Sequence, residues 1–280
     1  MTRLAWVVVG VLIVALAAGV VALDRRQARR GQPSLLSYPW RAPAGPPARS
    51  PVPASGRARV AVIVDELGAR ADVADQVLAL RRPVTVAVLP LLPLSRRIAR
   101  DAARAGLEVL VQLPLEPYRF PEIDPGPGVL LTSMAPEEVT RRTRQYLAAV
   151  PEAAGVVTRM GSRFSEDRRQ MRAVLEPVFL QGLVFVDSLT SHRSVGYDVA
   201  RGLGIRAGRR QVFIDPDESE GTARRRLAEV ERWAIHRGSV LAIGHGRLLT
   251  VRLLEETLPR WEARGLRLVP VSELIKPERT

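Results

Sequence analysis

From Val60 onward, short apolar runs alternate with amphipathic stretches, and several of these runs stop on a polar or ionisable residue. The run 60–64 stops on Asp65-Glu66, 107–111 on Gln112, 183–186 on Asp187-Ser188 and 240–244 on His245. This is the pattern of β-α units around a parallel sheet, in which sites form where the carboxyl ends of the strands meet. Strands are expected near 60–64, 84–88, 107–112, 154–157, 183–187, 211–214, 239–243 and 267–271. Such a series fits a closed or nearly closed β/α barrel, or an open doubly wound sheet. After the first strand stands Asp65-Glu66-Leu67-Gly68 instead of a Gly-x-Gly-x-x-Gly fingerprint, and neither a Walker A loop nor a Gly-x-Ser-x-Gly elbow occurs.

Three helices can be read between the strands. Met171, Val174, Leu175, Val178 and Phe179 mark one apolar face behind Ser165, an expected N-cap followed by Glu166 and Asp167. A second helix, 222–237, turns Leu227, Val230, Trp233 and Ala234 inward and ends before Gly238. A third runs to about Arg264, stops at Gly265 and carries Pro259 as an expected kink.

The formal charge of +13 resembles a nucleic-acid signature until it is located along the chain. Residues 1–59 hold nine Arg and one Asp, and the basic stretch after the apolar residues 4–23 offers only Tyr38 and Trp40 as stacking partners, so nucleic-acid binding is not expected. There is no cysteine, which excludes disulfides, thiolate metal sites and a cysteine nucleophile. Any metal must use His, Asp or Glu, and His192, His236 and His245 are the only histidines.

Residues 4–23 form an apolar stretch long enough to span a bilayer as a helix, with Arg3 before it and Ala15-Leu16-Ala17 as a small-x-small cleavage pattern. The expectation is a transmembrane or signal segment over 1–24, then a basic, Pro-rich linker over 25–58, then a folded domain over 59–276. Arg25, Arg26, Arg29 and Arg30 after the span argue for retention in the cytoplasm, whereas the tether-like Pro-rich segment fits a domain held outside. The second reading is preferred: a domain anchored to the inner membrane and facing the periplasm, or released there by cleavage. Oligomeric state is not legible.

Asp65 and Glu66 end the first strand, where a pleat sends adjacent side chains apart, so one faces the barrel mouth and the other packs sideways. They suit a base beside a metal ligand; the alternative is a helix cap and a solvated acid. The long loop 113–134, with Pro-Leu-Glu-Pro and Pro-Gly-Pro-Gly, is a stiff connection suited to one wall of a substrate groove. Met160-Gly161-Ser162-Arg163-Phe164 offers donors for a ligand, or simply a tight turn. Asp187-Ser188 can accept from a ligand or cap a helix. His245, between Gly244 and Gly246, is the histidine best placed for chemistry; His236 suits the end of a helix, and His192 has no evident role. Ser162, His245 and Asp187 can be written as a triad, but no nucleophile-elbow signature supports it.

At this point the segment 59–275 resembles a known family. Val-Ala-Val-Ile-Val-Asp-Glu-Leu-Gly (60–68), Pro-Val-Thr-Val-Ala-Val-Leu-Pro (83–90), Gln-Leu-Pro-Leu-Glu-Pro (112–117) and Met-Gly-Ser-Arg-Phe (160–164) are followed by Phe-Val-Asp-Ser (185–188), Val-Phe-Ile-Asp (212–215), Ala-Ile-Gly-His (242–245) and Val-Pro-Val-Ser-Glu-Leu (269–274). In this order they resemble the divergent polysaccharide deacetylases, a branch of the glycoside hydrolase/deacetylase β/α-barrel superfamily. The resemblance implies a distorted β/α barrel of the polysaccharide deacetylase type, preceded here by the transmembrane or signal helix and the Pro-rich tether. It also implies a role in envelope carbohydrate metabolism and, in the wider superfamily, hydrolysis of N-acetyl amide bonds on amino sugars by a metal-bound water, with an aspartate base and a histidine assisting the leaving group.

On that basis Asp65, His245 and Asp187 are the catalytic candidates. Gln112, Arg159, Ser162, Arg163, Ser188 and Asp215 are candidates for binding an acetylated envelope glycan or peptidoglycan-related ligand. Asp65, Glu66 and His245 are the candidate ligands of a zinc-like divalent ion. The departures from the family pattern fall at this chemistry. Asp65-Glu66 replaces Asp-Asp, Gln112-Leu113-Pro114 replaces His-Leu-Pro, Arg159 replaces the His before Met-Gly-Ser, and Gly244-His245-Gly246 replaces Gly-His-Pro. Gln is a poor transition-metal ligand and protonated Arg is none, so Arg159 brings a cation where a metal is expected and can pair with Asp65 and Glu66. Three readings stay open: a working deacetylase, a non-catalytic binder of glycan or an envelope protein, and a serine-type esterase.

Overall fold

In the computed structural model the described residues are 58–275, so the apolar stretch 4–23 and nearly all of the Pro-rich linker lie outside them. Among the described residues no helix is long and apolar enough to cross a membrane. The elements alternate as the periodicity predicts: β1 Arg59–Leu67, α1 Ala71–Ala79, β2 Thr85–Val88, α2 Ser95–Arg104, β3 Glu108–Leu115, α3 Pro136–Ala149, β4 Ala153–Met160, α4 Arg168–Leu180 and β5 Val184–Asp187. They continue with α5 Gly196–Gly202, β6 Ala207–Arg209, β7 Val212–Phe213, α6 Glu220–Arg237, β8 Ser239–His245, α7 Leu248–Ala263, β9 Arg267–Leu268 and α8 Val271–Leu274.

All the strand pairs are parallel, in the order β6-β5-β4-β3-β2-β1-β8-β7, with β9 added beside β1. The two outermost strands in that order, β6 and β7, are separated in sequence only by Arg210 and Gln211. The Arg210 N–H donates to the Asp187 carbonyl at 3.0 Å, and the Gln211 N–H donates to the Leu241 carbonyl at 2.9 Å. The sheet therefore curls until one short segment spans its two edges, a distorted barrel closed by chain connectivity instead of a ladder. The strand expected over 211–214 forms as the shorter β7, and β6, over 207–209, is a further strand that the periodicity did not mark.

Side-chain alternation divides the apolar residues into two cores. Val60, Val62 and Val64 face the outer helices, while Ala61 and Ile63 point into the barrel with Ala87, Leu110, Val157, Val184, Val186, Leu241 and Ile243. The strand expected over 267–271 stops at Leu268, since Pro270 has no N–H to continue a ladder. Val271 and Ile275 instead enter the inner core through α8 and close the barrel floor. There the Glu108 carboxylate accepts from the Ser272 N–H at 3.1 Å and from the Thr85 hydroxyl at 3.1 Å.

Two helix details differ from the sequence reading. Residues Phe164–Glu166 form a 3₁₀ turn around the fully buried Phe164, so the cap of α4 moves to Asp167, whose carboxylate accepts from Arg169 N–H at 2.9 Å and Gln170 N–H at 3.1 Å. Phe179 lies one step round from the buried Val178 and is half exposed. Gly238 and Gly265 take left-handed φ values of 75° and 83° just after the ends of α6 and α7, as their positions predict.

Candidate functional site at the barrel mouth

The alternation that fills the inner core also selects what reaches the mouth. Two residues beyond Ile63, Leu110, Val157, Phe213 and Ile243 stand Asp65, Gln112, Arg159, Asp215 and His245. Glu66 joins them by a different route. Its φ is +59°, and the register of β1 against β2 slips between Val64 and Leu67. The pleat predicted that Asp65 and Glu66 diverge; this left-handed residue turns the second carboxylate back to the same side. For a non-glycine residue that conformation costs roughly 1–2 kcal/mol. Met160 at the end of β4 and Leu189 just beyond β5 take the same conformation, with φ of 50° each, so backbone strain gathers around this mouth.

Ligand atoms of Asp65, Glu66 and His245 all lie within 4.8 Å of one another, the geometry of a three-ligand cation site. The neighbours compete for the same atoms. Gln112 Nε2 donates to Asp65 Oδ2 at 2.8 Å while its Oε1 accepts from the Glu66 N–H at 2.8 Å. Arg159 Nη1 stands 2.5 Å from Glu66 Oε1, a contact of charge along which no Nη1 hydrogen points, and its Nε donates to the Pro125 carbonyl at 2.9 Å. Asp65 itself pairs with Gln112 and not with Arg159. Its Oδ1 is buried and has no partner among the described residues.

His245 is fixed from the other side. Its Nδ1 lies 3.1 Å from Asp215 Oδ1, its backbone N–H donates to the same carboxylate at 3.0 Å, and Thr250 Oγ1 donates to Asp215 Oδ2 at 2.6 Å. An Nδ1–H given to Asp215 leaves Nε2 facing Glu66 Oε1, 3.4 Å away. Phe213 packs on the imidazole with 4.8 Å between ring centroids, and the Arg210 guanidinium lies 4.8 Å over the Phe213 ring.

Burial pushes the Asp65 carboxyl up to about 7; His245 and Arg159 oppose the rise, and Glu66 and Asp215 add to it. For His245, burial lowers the imidazole pKa, but the bond to Asp215 and the charges of Asp65, Asp215 and Glu66 outweigh it and hold the ring above its ordinary value.

Several residues singled out in the sequence serve the walls instead. Asp187 follows the outward-facing Phe185, and its carboxylate accepts from Leu189 N–H at 2.8 Å, Ser194 Oγ at 2.7 Å and Tyr197 N–H at 3.2 Å. It holds the turn into α5 and does not join the mouth. Ser188 Oγ lies 2.7 Å from Thr158 Oγ1, and Ser162 Oγ accepts from Tyr118 N–H at 3.1 Å. Asp187 and Ser162 are thus occupied away from His245, and the paper triad is not formed. Arg163 Nη1 is 3.0 Å from Glu116 Oε1, and the other Glu116 oxygen accepts from Thr132 N–H and Oγ1, each at 2.6 Å. Glu116, buried between them, anchors loop 116–135, and the Pro125 bond brings that loop against Arg159 at the mouth. His236 sits in the last turn of α6.

The sequence reading missed the Asp215–His245 pairing, which only the register shows: Phe213 pairs with Ile243, so Asp215, two residues further along and just past β7, comes beside His245 at the end of β8. Pro-Leu-Glu-Pro and Pro-Gly-Pro-Gly mark loop 113–134 as a wall of the site, but they do not mark the anchoring by Glu116 or the Pro125 carbonyl at Arg159, and nothing local marks Thr250.

Residues 62–275 match the family model described as divergent polysaccharide deacetylase. The uncharacterized protein YibQ of Escherichia coli K12 is 32% identical over 198 residues, 71% of this chain, which spans 61% of that relative's length. An uncharacterized protein of Haemophilus influenzae is 27% identical over 223 residues, 80% of this chain and 79% of its own. The crystal structure of an uncharacterized Agrobacterium tumefaciens C58 protein superposes with a TM-score of 0.75 at 26% identity, over 81% of this chain and 93% of that one. A putative cellobiose-phosphate cleavage protein from Enterococcus faecalis V583, 15% identical with a TM-score of 0.55 over 79% of this chain and 100% of that one, shares the fold.

Proposed function

From the chain's membership of the divergent polysaccharide deacetylase family, we propose that it holds an acetylated envelope glycan at the barrel mouth without metal-dependent removal of the acetyl group. The observation that carries this reading is the Arg159 guanidinium 2.5 Å from Glu66 Oε1. A metal-assisted hydrolase needs deprotonated, uncommitted donors around its ion. Here Glu66 already faces a fixed cation, Gln112 spends its amide on Asp65 and on the Glu66 backbone, and His245 supplies the only imidazole among the described residues at the mouth. Two unit charges about 4 Å apart at an effective dielectric near 20 interact by about 4 kcal/mol, and a divalent ion facing a guanidinium doubles that as repulsion. The donor set therefore fits a divalent ion poorly.

The charges instead close on themselves in the order Arg159, Glu66, His245 and Asp215. The acidic neighbours of His245 raise its pKa and so favour the imidazolium, which has no lone pair to act as base, while the ring Nε2–H and the unpartnered Asp65 oxygen are suited to hydroxyl and amide groups of a sugar. One observation favours the contrary reading of a working deacetylase: three ligand atoms converge beside the orphaned Asp65 Oδ1. Elemental analysis of purified protein, calorimetric titration with acetylated amino-sugar oligomers and an acetate-release assay separate the two. Saturable oligomer binding with substoichiometric metal and no acetate is expected. Stoichiometric zinc together with acetate release that a chelator abolishes would overturn the proposal. Anchoring through residues 4–23, with the domain on the periplasmic side, belongs to the same reading.

A further inference from the structure

On the outer layer, away from the mouth, α3 and α4 run side by side, tied where Thr140 Oγ1 donates to the Ala173 carbonyl at 3.0 Å. Between their exposed faces lies a groove of about 430 Å³ whose lining includes Arg141 and Arg144 on α3 and Arg169 and Arg172 on α4, against only Glu137 and Glu176. Two of these arginines are committed. Arg141 forks onto Glu138 at 2.7 and 2.8 Å, and Arg172 pairs with Glu176 at 2.9 Å. Arg144 and Arg169, one on each helix, have no side-chain hydrogen bond or ion pair among the described residues. Packed helices are about 8–10 Å apart, so these two free guanidinium groups face a common cleft from opposite walls.

We propose that this groove binds a ligand carrying at least two phosphate groups, with Arg144 and Arg169 each taking one and Arg141 and Arg172 supplying background charge. Three features support this: the concave shape, a net positive lining, and planar donor forks whose geometry matches phosphate oxygens in pairs. The phosphate source is either a soluble phosphate compound or an anionic lipid headgroup, and the chemistry at the groove is common to both.

The test uses the full chain. Inorganic tripolyphosphate is titrated calorimetrically at low salt, and in a second arm the protein is cosedimented with phosphatidylcholine vesicles with and without phosphatidylglycerol. The variants are Arg144→Gln with Arg169→Gln, and, as a charge-matched control, Arg96→Gln with Arg100→Gln on the exposed face of α2. All four side chains are exposed, and matching thermal midpoints check that the variants fold. Saturable tripolyphosphate binding that weakens about tenfold or more in the groove pair and stays unchanged in the control pair supports the proposal with a soluble ligand. A groove-dependent gain on phosphatidylglycerol vesicles over neutral ones, without tripolyphosphate binding, supports it with a headgroup. Binding by neither probe, or equal loss in the control pair, overturns it.

Discussion

A guanidinium and a divalent metal both answer a carboxylate's charge, but only the metal accepts a lone pair and activates water. At Arg159 the chain has the first kind of cation, so the chemistry of the mouth rests on one side chain and its neighbour Gln112. Replacing both, as Gln112→His with Arg159→His, removes the charge 2.5 Å from Glu66 and places two imidazoles beside Asp65, Glu66 and His245. The double variant is expected to retain close to one zinc per chain through dialysis while the parent does not, read by elemental analysis; a variant as metal-poor as the parent would count against the account of Arg159. The buried Asp65 carries a separate expectation about pH. Its folded pKa, about 7, lies above the ordinary 3.8, so its contribution to stability is full below pH 3.8 and is lost as pH rises towards 7. His245, raised as well, loses its contribution in the same direction, above its ordinary value of 6.5. Thermal midpoints between pH 4 and pH 8 should therefore fall less steeply in Asp65→Asn than in the parent protein; an unchanged slope would mean that Asp65 is already ionised when buried.

At the scale of elements, the periodicity in the sequence located nearly every strand, because apolar runs ending on polar residues are what a strand leading to a barrel mouth must look like. It could not show that both of the adjacent acids reach the mouth, since that depends on a left-handed residue and a register slip, which no side-chain pattern encodes. Nor could it separate Asp187 from the site: an acid at a strand end looks the same whether it faces the mouth or caps the turn behind it. Glu116 illustrates a function that only three-dimensional contact reveals. Burial alone would raise its pKa, but bonds from Thr132 and Arg163 outweigh this and hold the carboxyl below its ordinary 4.5. Its contribution is thus present above pH 4.5 and is lost as pH falls through the depressed value. Glu116→Gln should free the loop at neutral pH, speeding amide hydrogen exchange in residues 117–131 while leaving the strands protected. At the start of α4, Asp167→Ala should cost about 1 kcal/mol in urea unfolding and Ser165→Ala distinctly less, because the cap bonds come from Asp167.

For the whole molecule, the two cores differ in how they can respond to a lost side chain. The outer core lies between a sheet and helices that can shift as rigid bodies, so a vacancy there can be partly filled. The inner core is ringed by strands that share one curled sheet and is closed below by α8, with Ser272 and Thr85 fastened to Glu108. Closure by the 207–213 segment, in which neighbouring N–H groups bond to β5 and β8, leaves that ring little freedom to contract. Leu110 and Leu175 are both fully buried, the first inside the barrel and the second beneath the helices. Leucine-to-alanine changes in cores cost about 2–5 kcal/mol, and the upper end belongs to sites that cannot collapse. Leu110→Ala should therefore fall near the top of that range and Leu175→Ala nearer the bottom, compared by urea denaturation with equal m-values. A reversed order would mean that the barrel floor moves, with α8 rising into the space that Leu110 leaves.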